Sequence, residues 1–543
     1  MLLAASALLL SAGAAGAQNV PVRIIAINDF HGNLEPSGNM VAVPDPVGAG
    51  TAPLRSGGAA FLAARIKQLR AEQPNSVVVS AGDLVGASPL ISSLFRDEPT
   101  IEVMNAIGLD VHTLGNHEFD RGVQHLMQLA SLAKFPWISA NVLDRNNEPI
   151  VPPTWIKSID GIRIGFVGAV TRSTPSIVVP SGVTGLRFVS EARALNQYAK
   201  ELQSQGVQAI VAVVHEGGNA EGGFDACRNP RGAIFDIVRE LDPAIDIVIS
   251  GHTHRSYNCV IGGRVVTQAA SYGHLVTVID LEIDRASGDV VLERIHARNV
   301  PVPNGIDTFA RLRAAYPPLT PDPNVQAIVQ HYRQLAAPLA QRTVGRITGE
   351  FDRRASSGGD SPLGRLVADA QLAETRMQGA QIAFTNPGGL RTDLRASGSD
   401  GVVTYADAFA SQPFGNTLMT VTLTGAQLKQ LLEQQWSASR PERPRMLQPS
   451  RGFAYTWLAN GAQGARIITS SMRLNGQVIE PEQRYRVTAN NFLIEGGDGF
   501  RVFREGTEPV EGPVDIDALI AYLQKSIAAQ PLSPDRSPRI SRK

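Results

Sequence analysis

Five short apolar runs, each rich in β-branched residues and bounded by turn residues, limit what this chain can fold into. They are VRIIAI (22–27), SVVVSA (76–81), IRIGFVGAV (162–170), AIVAVV (209–214) and DIVIS (246–250). Runs this short and this apolar read as buried strands. Helix-like stretches lie between them at 58–71, 97–107, 121–133 and 190–205. That alternation predicts an α/β domain. Residues 264–296 instead read as consecutive strands, VVTQAA, LVTVIDLEID and DVVLERIHA, which suit an antiparallel finish to the sheet.

A chain of 543 residues exceeds what one hydrophobic core supports, so at least two domains are expected. The first spans 19–298, and a proline-rich linker with a connecting helix at 324–337 fills 299–340. A second domain at 341–525 carries helix 362–376, strand 382–385 before the loop NPGGLR, strand 418–423 before helix 424–435, and strand 485–490 before NFLIEGGDGF. The Pro-, Ser- and Arg-rich residues 526–543 read as a frayed tail. Residues 1–17 end in Ala15-Gly16-Ala17 after a short apolar stretch, the pattern of a cleaved signal peptide, so the mature chain would start near Gln18. Export to an oxidising compartment predicts that the two cysteines, Cys227 and Cys259, form a disulfide. Lys and Arg (50) balance Asp and Glu (50) with no long basic run, which argues against a nucleic-acid polymer as partner. After residue 20 there is no apolar window long enough for a membrane span.

The acids and imidazoles cluster at strand ends. The run 22–27 leads into Asn28-Asp29-Phe30-His31-Gly32, 76–81 into Gly82-Asp83, 209–214 into His215-Glu216, and 246–250 into Gly251-His252-Thr253-His254. A further loop reads Leu114-Gly115-Asn116-His117-Glu118-Phe119-Asp120. A single His after a strand is usually an ordinary loop residue, and a single Asp there is usually a turn or N-cap. The set is different. Of ten histidines, His31, His117, His215, His252 and His254 fall in these loops, while His112, His125, His274, His296 and His331 read as structural. Ligands of α/β sheets bind beyond the carboxyl ends of strands, so these loops predict one shared rim. Mixed imidazole and carboxylate donors suit Zn, Mn, Co or Fe better than Ca. Asp120, three residues after His117, is spaced to orient its imidazole.

In order, DFHG, GDLVGASP, GNHEFDRG, HEGG and GHTH resemble the signature of the calcineurin-like metallophosphoesterases. Followed by NPGGLR, PFGN and EGGDGF, they are similar to the 5′-nucleotidase family, bacterial UDP-sugar hydrolases included, over about 22–520. The resemblance implies a four-layer α/β/β/α sandwich, a helical linker and a smaller α/β substrate-binding domain. It implies two divalent metal ions, one held by Asp29, His31, Asp83 and His254, the other by a bridging Asp83 with Asn116, His215 and His252. His117 and Asp120 would be a catalytic dyad, with Glu118 and Glu216 as supporting loop residues. In the second domain Phe414 and Phe492 would sandwich a base, Asp498 would contact the sugar, and Asn386, Asn416 and Arg391 would position nucleoside and phosphate. A further substrate-facing arginine is expected in FDRRASSGGDSPLGRL, at Arg354 in preference to Arg353. The implied reaction is in-line attack of a metal-bridging hydroxide on a nucleotide phosphate in the periplasm or outside the cell. Similar chains act as 2′,3′-cyclic-nucleotide phosphodiesterases with 3′-nucleotidase activity, or as UDP-sugar or NAD hydrolases. A non-catalytic nucleotide-binding surface protein would show broken ligand positions, and these are intact.

Overall fold

The strands that alternation places in one α/β domain form two sheets, not one. The computed structural model describes residues 18–36, 40–48, 50–306, 309–396, 400–436, 444–528 and 530–543; the signal-peptide expectation for 1–17 lies outside them. The first sheet runs, in spatial order, His296–Pro301, Leu275–Asp284, Asn19–Ile27, Ser76–Ser80, Val111–Thr113 and Trp137–Ile138. The second runs Ser256–Ile261, Arg264–Ala269, Ile247–Ser250, Ala209–His215, Ile162–Val170 and Thr154–Ile159.

Side-chain alternation along each strand decides the layering. Val20, Val22, Ile24 and Ala26 of the first sheet pack in one cluster with Ile164, Phe166, Val211, Val213, Ile247 and Ile249 of the second. Ile25 and Ile27 point the other way, into a cluster with Leu62, Ile66, Ile101 and Met104 of helices Ala59–Glu72 and Glu98–Ile107. Ile210, Ala212 and Val214 pack outward with Leu195, Leu202, Phe235 and Val238 of helices Glu191–Ser204 and Ala233–Arg239. The result is α/β/β/α. Strand Asn19–Ile27 is parallel to Ser76–Ser80, and Ala209–His215 is parallel to both Ile162–Val170 and Ile247–Ser250. The carboxyl ends within each sheet therefore emerge together.

The stretch 264–296 departs from the expected run of antiparallel strands. Arg264–Ala269 pairs parallel with Ile247–Ser250 in the second sheet, whereas Leu275–Asp284 pairs antiparallel with Asn19–Ile27 in the first. The crossing between sheets turns through Ala270 (φ 56°) and Tyr272 (φ 59°), both left-handed. The third run begins as a short 3-10 turn at Leu292–Arg294, and the strand itself is His296–Pro301, past the expected boundary at 298.

A second body holds a five-stranded sheet, Gln448–Pro449, Ile382–Thr385, Arg484–Asn490, Thr417–Thr424 and Thr507–Val514, beside a four-stranded one. Its helices begin where the sequence marks them. The Ser361 hydroxyl accepts from the Gly364 N–H with Pro362 at the first turn, and Thr424 forms a capping box with Gln427. The connecting helix is formed, over Pro323–Ala340, and it docks on the first body. Val325 and Val329 join the core under helices Ala59–Glu72 and Glu98–Ile107, and Tyr332 donates to Glu102. The tail, expected to be frayed, is docked instead. Ile540–Arg542 adds a parallel strand to Phe453–Trp457, and Arg539 pairs with Asp369 through both terminal nitrogens, at 2.7 and 2.8 Å. Proline and serine content suggested fraying, but the partners that dock this segment lie far away in sequence.

Candidate active site

The strand-end loops of both sheets meet at one rim, and their backbones are bent to do so. Asp29, His31, Asp83, His252 and His254 all have positive φ, between 48° and 73°, a conformation uncommon for residues other than glycine. Strain of this kind persists only where the surroundings enforce it, and it concentrates at functional sites. The glycines of the motifs allow the close approach. A Cβ at Gly82 would collide with the His215 ring, and one at Gly115 with the Asp83 carboxylate.

Three groups of donor atoms result, each with its atoms within 4.8 Å of one another: Asp29, His31 and His254; His31, Asp83 and His117; Asp83, His215 and His252. Asp83 belongs to two of them. His31 Nδ1 lies 2.9 Å from the Gly86 carbonyl and His215 Nδ1 2.7 Å from that of Ala81, so both Nδ1 atoms carry protons and donate. Each Nε2 then turns a lone pair inward. His31 Nε2 is 3.1 Å from His254 Nε2 and 3.6 Å from Asp83 Oδ2. His215 Nε2 is 3.1 Å from Asp83 Oδ2 and 3.2 Å from Asn116 Oδ1, and His252 Nδ1 is 2.9 Å from the same Asn116 oxygen. Acceptors that face acceptors in a buried site demand positive charge between them. Without a cation, a proton on His215 Nε2 answers that demand: burial works against the charged imidazole, yet the Asp83 carboxylate outweighs it and pushes the pKa up to about 10, and a metal ion at Nε2 would take the place of that proton. Burial would likewise raise Asp83, but attraction from His215 and His117 holds it well below the usual carboxylate range. This donor set of imidazoles, carboxylates and an amide oxygen fits two divalent cations sharing Asp83.

A supporting layer fixes these ligands. The Asn28 amide donates to Asp29 Oδ2 (2.6 Å), and the backbone N–H of His252 donates to Asp29 (3.0 Å). Buried Glu118 accepts from the backbone N–H groups of Asp83 (3.1 Å), Leu84 (2.9 Å) and Gly115 (2.6 Å), tying two ligand loops together. Tyr272, which no motif marks, donates its N–H to the Asp29 carbonyl and sets its ring against His31 and His254. His117 Nδ1 stands 2.8 Å from Asp120 Oδ2. Burial lowers the His117 pKa, but the charges of Asp120 and Asp83 and the hydrogen bond to Asp120 raise it more.

One cavity joins this cluster to the second body. Asn116, His117, Asp120 and His252 line it together with Asn386, Arg391, Phe414, Asn416, Phe492 and Asp498. The Phe414 ring lies nearly parallel to His117 at 5.9 Å, with the Arg391 guanidinium 5.7 Å from the same ring. The Asn386 amide donates to Asp498 Oδ2 at 3.0 Å. Asn416 is braced by Asp515, at 3.3 Å from its carboxylate. Arg354 is not among the lining residues. It lies exposed, with its backbone N–H on Asp352, while Arg353 is turned away onto Asp393 and the Leu390 carbonyl. Neither arginine of this loop lines the cavity, and Asp393 holds Arg353. Arg121, Arg445 and His125 line the cavity instead. Arg121 follows the dyad directly, but nothing in the sequence marked Arg445. The expected disulfide between Cys227 and Cys259 is formed.

The fold and the rim define a two-domain phosphoesterase-type chain, and comparison with known proteins agrees. A calcineurin-like phosphoesterase family model matches residues 22–256, and a 5′-nucleotidase C-terminal domain model matches 343–505. An endonuclease of Bacillus subtilis is 31% identical over 93% of this chain, which spans 40% of that relative's length. A cell wall protein of Listeria monocytogenes is 30% identical, with 95% of this chain and 68% of the relative covered. The crystal structure of a 5′-nucleotidase precursor from Thermus thermophilus shares the fold, with a TM-score of 0.76 at 24% identity over 96% of this chain and 99% of its own. The chain belongs to the 5′-nucleotidase family of calcineurin-like phosphoesterases.

Proposed function

We propose that this chain is an exported, metal-dependent phosphohydrolase that releases phosphate from 5′-nucleotides. The observation that carries the reading is a cavity lined on one side by Asn116, His117, Asp120 and His252 of the strand-end loops and on the other by Phe414, Phe492, Asp498 and Arg391. Two divalent cations bound among Asp29, His31, Asp83, Asn116, His215, His252 and His254 would acidify the attacking water and neutralise phosphoryl charge.

The remaining work falls to side chains of the chain itself. Asp120 holds His117 by Nδ1, which leaves Nε2 to stabilise the transferring phosphoryl group and to give a proton to the leaving nucleoside oxygen. Arg391, beside His117, takes the phosphate as a planar, permanently charged partner. Phe414 and Phe492 stack the base, which suits any base because each has a π face. Asn386 and Asn416 orient the nucleoside, and Asp498 accepts from its sugar hydroxyls. The Cys227–Cys259 disulfide supports export to the periplasm or the medium, as does the signal-peptide pattern of residues 1–17.

The test is phosphate release from AMP, ADP, ATP, UDP-glucose, 2′,3′-cyclic AMP and a small aryl phosphate, each with Mn²⁺ and with chelator. Chelator-sensitive release that is fastest from a 5′-nucleotide is the expected result. Preference for the cyclic nucleotide would overturn the substrate, and chelator-resistant release would overturn the metal chemistry.

A further inference from the structure

Asp498 is held from two sides. Its backbone is left-handed (φ 56°), between Gly497 and Gly499. On one side the Asn386 amide donates to Oδ2 at 3.0 Å, and Asn386 in turn accepts from the Asn490 amide at 3.3 Å. On the other side Arg445 Nη1 donates to the Asp498 carbonyl at 3.0 Å, while its Nε lies 3.5 Å from Oδ1. Arg445 is anchored by its own N–H, which donates to the Gln435 carbonyl at 2.9 Å. Asn386, Arg445, Asn490, Phe492 and Asp498 all line the cavity.

We propose that Arg445 is a positioning residue for sugar recognition: with Asn386 it clamps the Asp498 carboxylate toward the 2′,3′-diol, so that the site selects ribonucleotides over deoxyribonucleotides. A free carboxylate rotates about its last torsion, and a diol then meets it in the right plane only part of the time. The guanidinium fork removes that freedom and also pins the strained backbone, because it grips the carbonyl and the carboxylate of one residue. A carboxylate oxygen that accepts one hydrogen bond can accept a second, so the clamp is compatible with recognition of sugar hydroxyls. Arg445 needs no contact with the substrate to do this.

The proposal rests on the nucleotide reading above. The experiment compares kcat/KM for AMP, 2′,3′-dideoxy-AMP and a small aryl phosphate in the wild type, Arg445→Ala, Arg445→Lys, Asp498→Asn and the double variant. Hydrogen bonds to a charged acceptor predict a wild-type preference for AMP over the dideoxy nucleotide of roughly 10-fold or more. Arg445→Ala should raise KM for AMP more than for the dideoxy nucleotide and bring the ratio toward one. Arg445→Lys should recover part of the ratio. The double variant should match Asp498→Asn alone, because the two residues act as a unit. Equal loss on AMP and the dideoxy nucleotide in Arg445→Ala would overturn the proposal and leave the nucleotide reading standing. No sugar preference in the wild type, or an unchanged ratio in Asp498→Asn, would overturn both the proposal and the sugar role of Asp498.

Discussion

His117 sits where three influences meet: Asp120 at 2.8 Å from Nδ1, the Asp83 carboxylate accepting its backbone N–H at 2.9 Å, and the Phe414 ring over its face. On the proposed function, His117 acts on the reaction without holding the cations. His117→Ala should therefore keep its bound metal and lose roughly 10²–10⁴ in kcat, the range for general acid and electrostatic terms. Single-turnover rates together with metal content check this, and normal turnover would remove His117 from the reaction. Phe414→Ala should raise KM for nucleotides by roughly 10-fold or more, the scale of one stacked base, and should change hydrolysis of a small aryl phosphate far less. Equal losses on both substrates would sink the stacking role. At this scale the sequence was informative about the metal-type ligands, because their loops are local motifs. It was uninformative about Arg445 and Tyr272, whose partners Asp498, His31 and His254 come from distant segments. The pairing of Arg353 with Asp393, forty residues away, was likewise not readable from the sequence.

At the scale of single elements, strand Ile247–Ser250 shows how a buried acid at a strand start couples stability to pH. Asp246 accepts the Ile210 N–H at 2.8 Å, but burial outweighs that bond and pushes the carboxyl pKa up to about 7. The folded protein then binds a proton here that the unfolded chain, with an ordinary carboxyl, has lost. The stabilisation is complete below the unfolded pKa near 4 and disappears as pH rises through about 7. Thermal or urea unfolding of the wild type should lose on the order of 2–4 kcal/mol from this group between pH 4 and pH 8. Asp246→Asn should remove that slope, and an unchanged slope would contradict the assignment. Strands and helices were readable within a few residues because periodicity and caps are local, as with Ser361 and Thr424. The division into two sheets was not readable from the runs, because Arg264–Ala269 and Leu275–Asp284 look alike and only their pairing partners separate them.

Over the whole molecule, the last residues close the second body. Arg365 is buried with Asp360 and the Asp535 carbonyl, and Arg539 is paired with Asp369. Removing one partner of a buried pair leaves the other charge uncompensated, so Arg539→Ala should cost about 3–5 kcal/mol in urea unfolding. A loss under about 0.5 kcal/mol, the size of an ordinary surface substitution, would mean that the tail is only loosely applied. The same architecture sets Phe414 of the second body over His117 of the first. On the proposed function, the strand-end loops of the two sheets make one centre for two cations that share Asp83. The most direct test is equilibrium titration of chelator-stripped protein with Mn²⁺, counting ions bound per chain in the wild type and in Asp83→Asn. About two ions are expected in the wild type, with tight binding of both lost in the variant, as a shared carboxylate requires. One ion or none in the wild type, or two retained by Asp83→Asn, would contradict it.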